Sequence, residues 1–141
     1  MDALIGPALP AVRLLHLLAL LSGLGIEAFR LLSHRLLAST PEGRELLRGF
    51  AACSRLMVIL ALASGAVWFW LQGSAMLGRP LGSIEAGAVV AGTRFGEALL
   101  LRAGLLLLAV LLLRGKESVR AAGLILLAAA ALLQGQLGHG A

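Results

Sequence analysis

Charge, cysteine and strict alternation are what this chain has little of. Only 13% of its 141 residues are charged while 60% are apolar, and mean hydropathy is +0.96. A soluble domain carries about 25% charged residues, so this chain is not built to face water on every side. The single cysteine, Cys53, excludes an internal disulfide and any thiolate-rich metal site within one chain. Apolar and polar residues do not alternate with period two, which argues against strands. No nucleophile–base pair, phosphate loop or paired-carboxylate arrangement is present, so the chain does not read as an enzyme. Lys and Arg outnumber Asp and Glu by 12 to 7. All of these cations but Lys116 are arginines, and most flank apolar runs. That is the mark of membrane topology, and nucleic acid is not the expected partner.

Long apolar runs are what the chain has in abundance. A spanning helix needs about 20 mostly apolar residues, and four segments qualify, at about 11–32, 50–71, 93–113 and 119–137. The chain therefore reads as all-α, a single integral membrane bundle of four transmembrane helices over residues 1–141. The start is read as a retained first span and not as a signal peptide: Asp2 stands where a basic region belongs, no small-x-small cleavage site follows, and the apolar run is long. Pro7 and Pro10 precede the first span, and Thr93 is placed to cap the third. A short interfacial helix is expected at 84–92.

The connections differ in charge. The first holds Arg35, Arg44 and Arg48, with Arg30 and Arg55 close by. The third holds Arg114, Lys116 and Arg120, while the second is rich in glycine and small residues. The positive-inside rule then places connections one and three in the cytoplasm. Both termini and the second connection lie outside, on the periplasmic face of a bacterial inner membrane.

The polar residues of the first span form a stripe. Arg13, His16, Leu20, Gly23, Glu27, Arg30 and His34 are spaced by threes and fours, which keeps them on one helix face. Ionisable groups facing lipid are costly, so the stripe should face the bundle or a cavity. Arg13, Arg30 and His34 lie near the helix ends and are read as reaching headgroups. Glu27 is read as pairing with Arg30 one turn away. His16 has no evident partner. On the second span Ser54, Met57, Ala61, Ser64 and Trp68 form a face suited to close helix packing, with Trp68 and Trp70 read as interfacial and Cys53 as buried. Arg94 and Glu97 stand near the outer boundary. Arg102 lies about 12 Å further in by the helical rise, deep enough to require a partner.

The topology gathers His16, Met76 and His139 on the outer side, with Gln134 and Gln136 nearby. Imidazole binds Cu(II) and Cu(I), and a thioether selects soft Cu(I), so these three are the candidate metal ligands.

The stretch GSAMLGRPL, then TRFGEALLLRAGLLLL, then the closing LGHGA resembles the copper resistance protein D (CopD/PcoD) family. RLLHLLALLSGLGIEAFR is similar to that family's opening helix. His16, Met76, Thr93, Arg94, Phe95, Gly96, Arg102 and His139 are the matching positions. The resemblance implies an inner-membrane protein of copper uptake or tolerance, with a copper ion as cargo and a periplasmic CopC-type carrier as partner. Family members usually have about eight helices and run on past the Gly-His motif. The resemblance is therefore to the N-terminal half, which implies a fragment or a half that joins a second chain. Two other readings stay open. One is a four-helix b-type haem protein using His16 and His139. The other is a non-catalytic structural subunit.

Overall fold

The computed structural model describes residues 2–78 and 84–136, and these are helical wherever they are regular. Five helices follow in order: α1 (Asp2–Leu37), α2 (Pro41–Leu77), α3 (Ile84–Ala91), α4 (Arg94–Leu112) and α5 (Glu117–Gln136). Four of them, all but the eight-residue α3, are long and apolar enough to cross a membrane. The expected all-α bundle of four spans holds, and α3 is the expected short helix. The first two helices are longer than their spans, at 36 and 37 residues. At about 1.5 Å per residue each measures about 55 Å, well beyond a hydrocarbon core of about 30 Å. Pro7 and Pro10 lie within α1 instead of ahead of it. Both lie past the first turn, and because proline has no N–H, α1 forgoes the bond to the carbonyl four residues back at each of them.

One device starts both α2 and α4. In Thr40-Pro41-Glu42-Gly43 and in Thr93-Arg94-Phe95-Gly96, the threonine Oγ1 accepts the glycine N–H at 3.0 Å. Each threonine has extended backbone angles and caps its helix. Each glycine is also packed under the end of the preceding helix. A Cβ on Gly43 would collide with the Leu37 carbonyl, and one on Gly96 with the Val90 carbonyl. The Thr-x-x-Gly pattern thus encodes a tight reversal between helices. Gly96→Ala is expected to cost about 1–3 kcal/mol through overpacking, against no loss for Gly104→Ala, whose Cβ meets nothing. Thermal unfolding in detergent compares the two, and equal midpoints would refute the packing argument.

An apolar layer occupies the middle of the bundle. Leu20, Val58, Leu106, Leu113 and Leu127 are fully buried there with Ala61, Ala109 and Ala130. Gly23 lets α2 approach α1 closely, its ideal Cβ lying 3.2 Å from Val58 Cγ2. Leucines at the rim such as Leu32, Leu36 and Leu132 are exposed, as lipid-facing side chains should be. Cys53 is also exposed, contrary to the expected buried position, because it falls beside the packed Ser54 face instead of on it.

Candidate functional site

The stripe on α1 faces inward, and the apolar layer divides it into two polar groups. Glu27 anchors the first. Its Oε1 accepts from Arg30 Nε at 3.1 Å and from Arg120 Nε at 3.0 Å. Its Oε2 accepts from Ser54 Oγ at 2.8 Å and from Arg120 Nη2 at 2.6 Å. Arg30 also grips Glu117 with both terminal nitrogens, each bond 2.8 Å long. Arg120 Nη1 donates to the Leu113 carbonyl, and His34 Nε2 lies 3.6 Å from Glu117 Oε1.

Two arginines and two glutamates therefore balance between α1 and α5 in two-pronged geometry, with Ser54 of α2 donating to Glu27. The expected Glu27–Arg30 pair is present, but it is only part of the arrangement. Arg30 is 3% exposed, so the expectation that it reaches headgroups is overturned by its fork on Glu117. The contact between the end of α1 and the start of α5 puts connections one and three on the same side of the bundle. Every polar atom of Glu27 is satisfied, and this group reads as structural.

The second group is unlike it. His16 is 1% exposed, and its Nδ1 lies 2.8 Å from the Ala61 carbonyl. A carbonyl only accepts, so Nδ1 carries the hydrogen and neutral His16 keeps its lone pair on Nε2. Nε2 is buried and has no partner among the described residues. Gly65 makes room for the ring, since a Cβ there would stand 3.2 Å from both Cε1 and Nδ1. The ring also lies 5.7 Å from Trp68, which in turn meets Phe95 edge to face at 5.2 Å. Arg13 sits 5.7 Å above the same indole. Trp68 is 3% exposed. It is therefore not interfacial as expected but a buried post between the first and third spans.

A cavity of about 250 Å³ opens beside His16. It runs between α2 and α4, and Arg102 lines it with His16. Arg102 is fully buried, and its Nε donates to the Ala130 carbonyl at 3.2 Å. That carbonyl is the partner the depth of Arg102 called for, but it serves Nε alone, and Nη1 and Nη2 have none among the described residues. Trp68 Nε1, Ser74 Oγ and the Gln134 amide also have no partner among the described residues, in the same half of the bundle. An unsatisfied buried polar group costs about 1–3 kcal/mol. This concentration of unpaired groups sets the His16 half of the bundle apart from the Glu27 half, where the carboxylate is fully satisfied.

The other candidate ligands are not gathered here. Met76 is half exposed and lies about 17 Å further along α2 than Gly65, by the helical rise. That distance exceeds a single coordination sphere. His139 lies outside the described residues. Arg94 and Glu97 are exposed near the start of α4, away from the His16 ring. No group of three or more His, Cys, Asp or Glu side chains suited to a metal ion occurs among the described residues.

A family model for the copper resistance protein D-like N-terminal domain matches residues 1–141, the whole chain. The chain belongs to that family. No curated protein and no solved structure matches it. Membership gives the motif residues a context, and the geometry sorts them by what they touch. In this copper resistance protein D-like chain, Thr93 and Gly96 make the α3–α4 reversal, and Phe95 supports Trp68. His16 and Arg102 face a common cavity. Sequence reasoning did not single out Gly65, gave Ser54 only a packing role, and did not join Glu117 and Arg120 to Glu27 and Arg30. Glu117 and Arg120 had a readable signal: they are three residues apart at the start of the fourth span, on the side where α1 ends.

Proposed function

We propose that this copper resistance membrane protein accepts or passes copper at the outer, periplasmic face of a bacterial inner membrane. The observation that carries the reading is the His16 lone pair. It is a buried imidazole oriented by a carbonyl through its other nitrogen, the support that metal-binding histidines generally have. Membership of a copper resistance family makes copper the expected cargo. Met76 and His139 complete the proposal as separate stations on the same side, where a soft thioether suits Cu(I). A CopC-type carrier is the expected source or recipient, and a second half or chain would supply any further helices. The apolar layer separates the His16 cavity from the Glu27 group by about 17 Å along α1, so the described residues of these four spans present no continuous polar path by themselves. The protein acts here as a binding and transfer protein, without catalysis.

Copper titration of the purified protein tests this, with binding competed against a Cu(I) chelator. His16→Ala and His139→Ala are each expected to lower affinity or stoichiometry. Unchanged values in both variants would remove the assignment. A haem-like absorbance band that disappears in His16→Ala would point to the axial-ligand reading instead.

A further inference from the structure

We propose that the cavity between α2 and α4 binds the carboxylate head of a single-chain amphiphile taken from the lipid phase, with Arg102 as its counter-ion. A guanidinium offers five N–H donors in a planar fork that matches a carboxylate. Arg102 uses one nitrogen on the Ala130 carbonyl and leaves both terminal nitrogens unpaired and buried. None of the ion pairs among the described residues includes it. Glu27 is already bound by two arginines on the far side of the apolar layer. Water in the cavity would satisfy the donors but would leave the charge uncompensated.

The walls define the rest of the ligand. Apart from His16 and Arg102 the cavity is lined by aliphatic and aromatic side chains, among them Leu99, Leu106 and Trp70. Ala66 and Leu100 also line it and are exposed at its edge. On a spanning pair of helices that edge faces hydrocarbon, so the mouth opens sideways. A volume of about 250 Å³ takes a carboxylate and the first part of one chain, whose remainder lies along the α2–α4 groove. His16 is among the residues that line the same space, but the fork on Arg102 does not require copper. The proposal therefore stands apart from the copper reading.

Trp68 and Trp70 are the two tryptophans of the chain, one lining the cavity and one against His16, so fluorescence reports occupancy. The full chain in copper-free phosphatidylcholine nanodiscs is titrated with an ω-brominated decanoic acid, whose bromine quenches nearby indoles. Saturable quenching is expected, with the methyl ester at least about tenfold weaker, as loss of a charged hydrogen-bonded contact requires. Arg102→Gln should weaken the acid by a similar factor, and Arg102→Lys should restore part of it. Ala103→Phe fills the cavity without touching the charge and should abolish quenching, which covers the case of Arg102→Gln failing to fold. Equal quenching by acid and ester, or an unchanged response in Ala103→Phe, would overturn the site. Displacement by acetate at equal concentration would overturn its lipid-phase source. Because copper is omitted, failure here leaves the His16 titration unaffected.

Discussion

Glu27→Ala is expected to lower unfolding stability by about 3 kcal/mol, the cost of breaking a buried ion pair and leaving its partner charged. Glu27 receives four hydrogen bonds, three of them from arginines. Without it Arg30 keeps its fork on Glu117, but Arg120 keeps only the Leu113 carbonyl. The damage therefore falls on the attachment of α5. Glu117→Ala is the comparison. Its carboxylate is 43% exposed, and Arg30 would retain Glu27, so about 1 kcal/mol or less is expected, as for exposed pairs. Replacing the buried pair together, as Glu27→Leu with Arg120→Met, should recover much of the loss, because no charge is then left unpaired. Unfolding of the purified variants in detergent by heat or denaturant ranks them. Equal losses for Glu27→Ala and Glu117→Ala would show that the buried group does not hold the helices together.

The contrast between the two polar groups explains how much of the molecule could be read from the sequence. Spans were legible because their signal is local: a run of apolar residues longer than about 20 has few alternatives. The inward direction of the α1 stripe was legible for the same reason, since period and cost together leave one face for charges. Partners were not legible. Arg120 and Glu27 lie 93 residues apart in sequence, and nothing in either segment specifies which helix neighbours which. That gap turned Arg30 into an expected headgroup contact and Trp68 into an expected interfacial residue. The candidate site was visible only as His16 and Arg102 taken separately. Their shared cavity depends on the α2–α4 pairing, which the Thr93–Gly96 reversal sets through the tight packing of α3 and α4.

With His16 as the copper ligand we propose, Gly65→Val is expected to weaken copper binding by about 10–100-fold, the usual consequence of disturbing the support of a metal-binding histidine. A single Cβ at Gly65 already stands 3.2 Å from two atoms of the His16 ring, and the two methyls of valine add bulk on the same side. The ring must turn or withdraw, and the 2.8 Å bond from Nδ1 to the Ala61 carbonyl is lost with it. That bond holds the tautomer that leaves Nε2 free to bind, so the variant alters the ligand without removing it. Gly25→Val controls for valine in a helix, because a Cβ at Gly25 meets nothing within 4 Å, and it should bind copper as the parent does. Circular dichroism would confirm that both variants keep their helices, and chelator competition gives the affinities. If His16→Ala loses copper while Gly65→Val keeps it, the imidazole binds without help from α2 and the carbonyl is incidental. Loss in both, with Gly25→Val unaffected, would assign the site to His16 held against α2 by the space that glycine leaves.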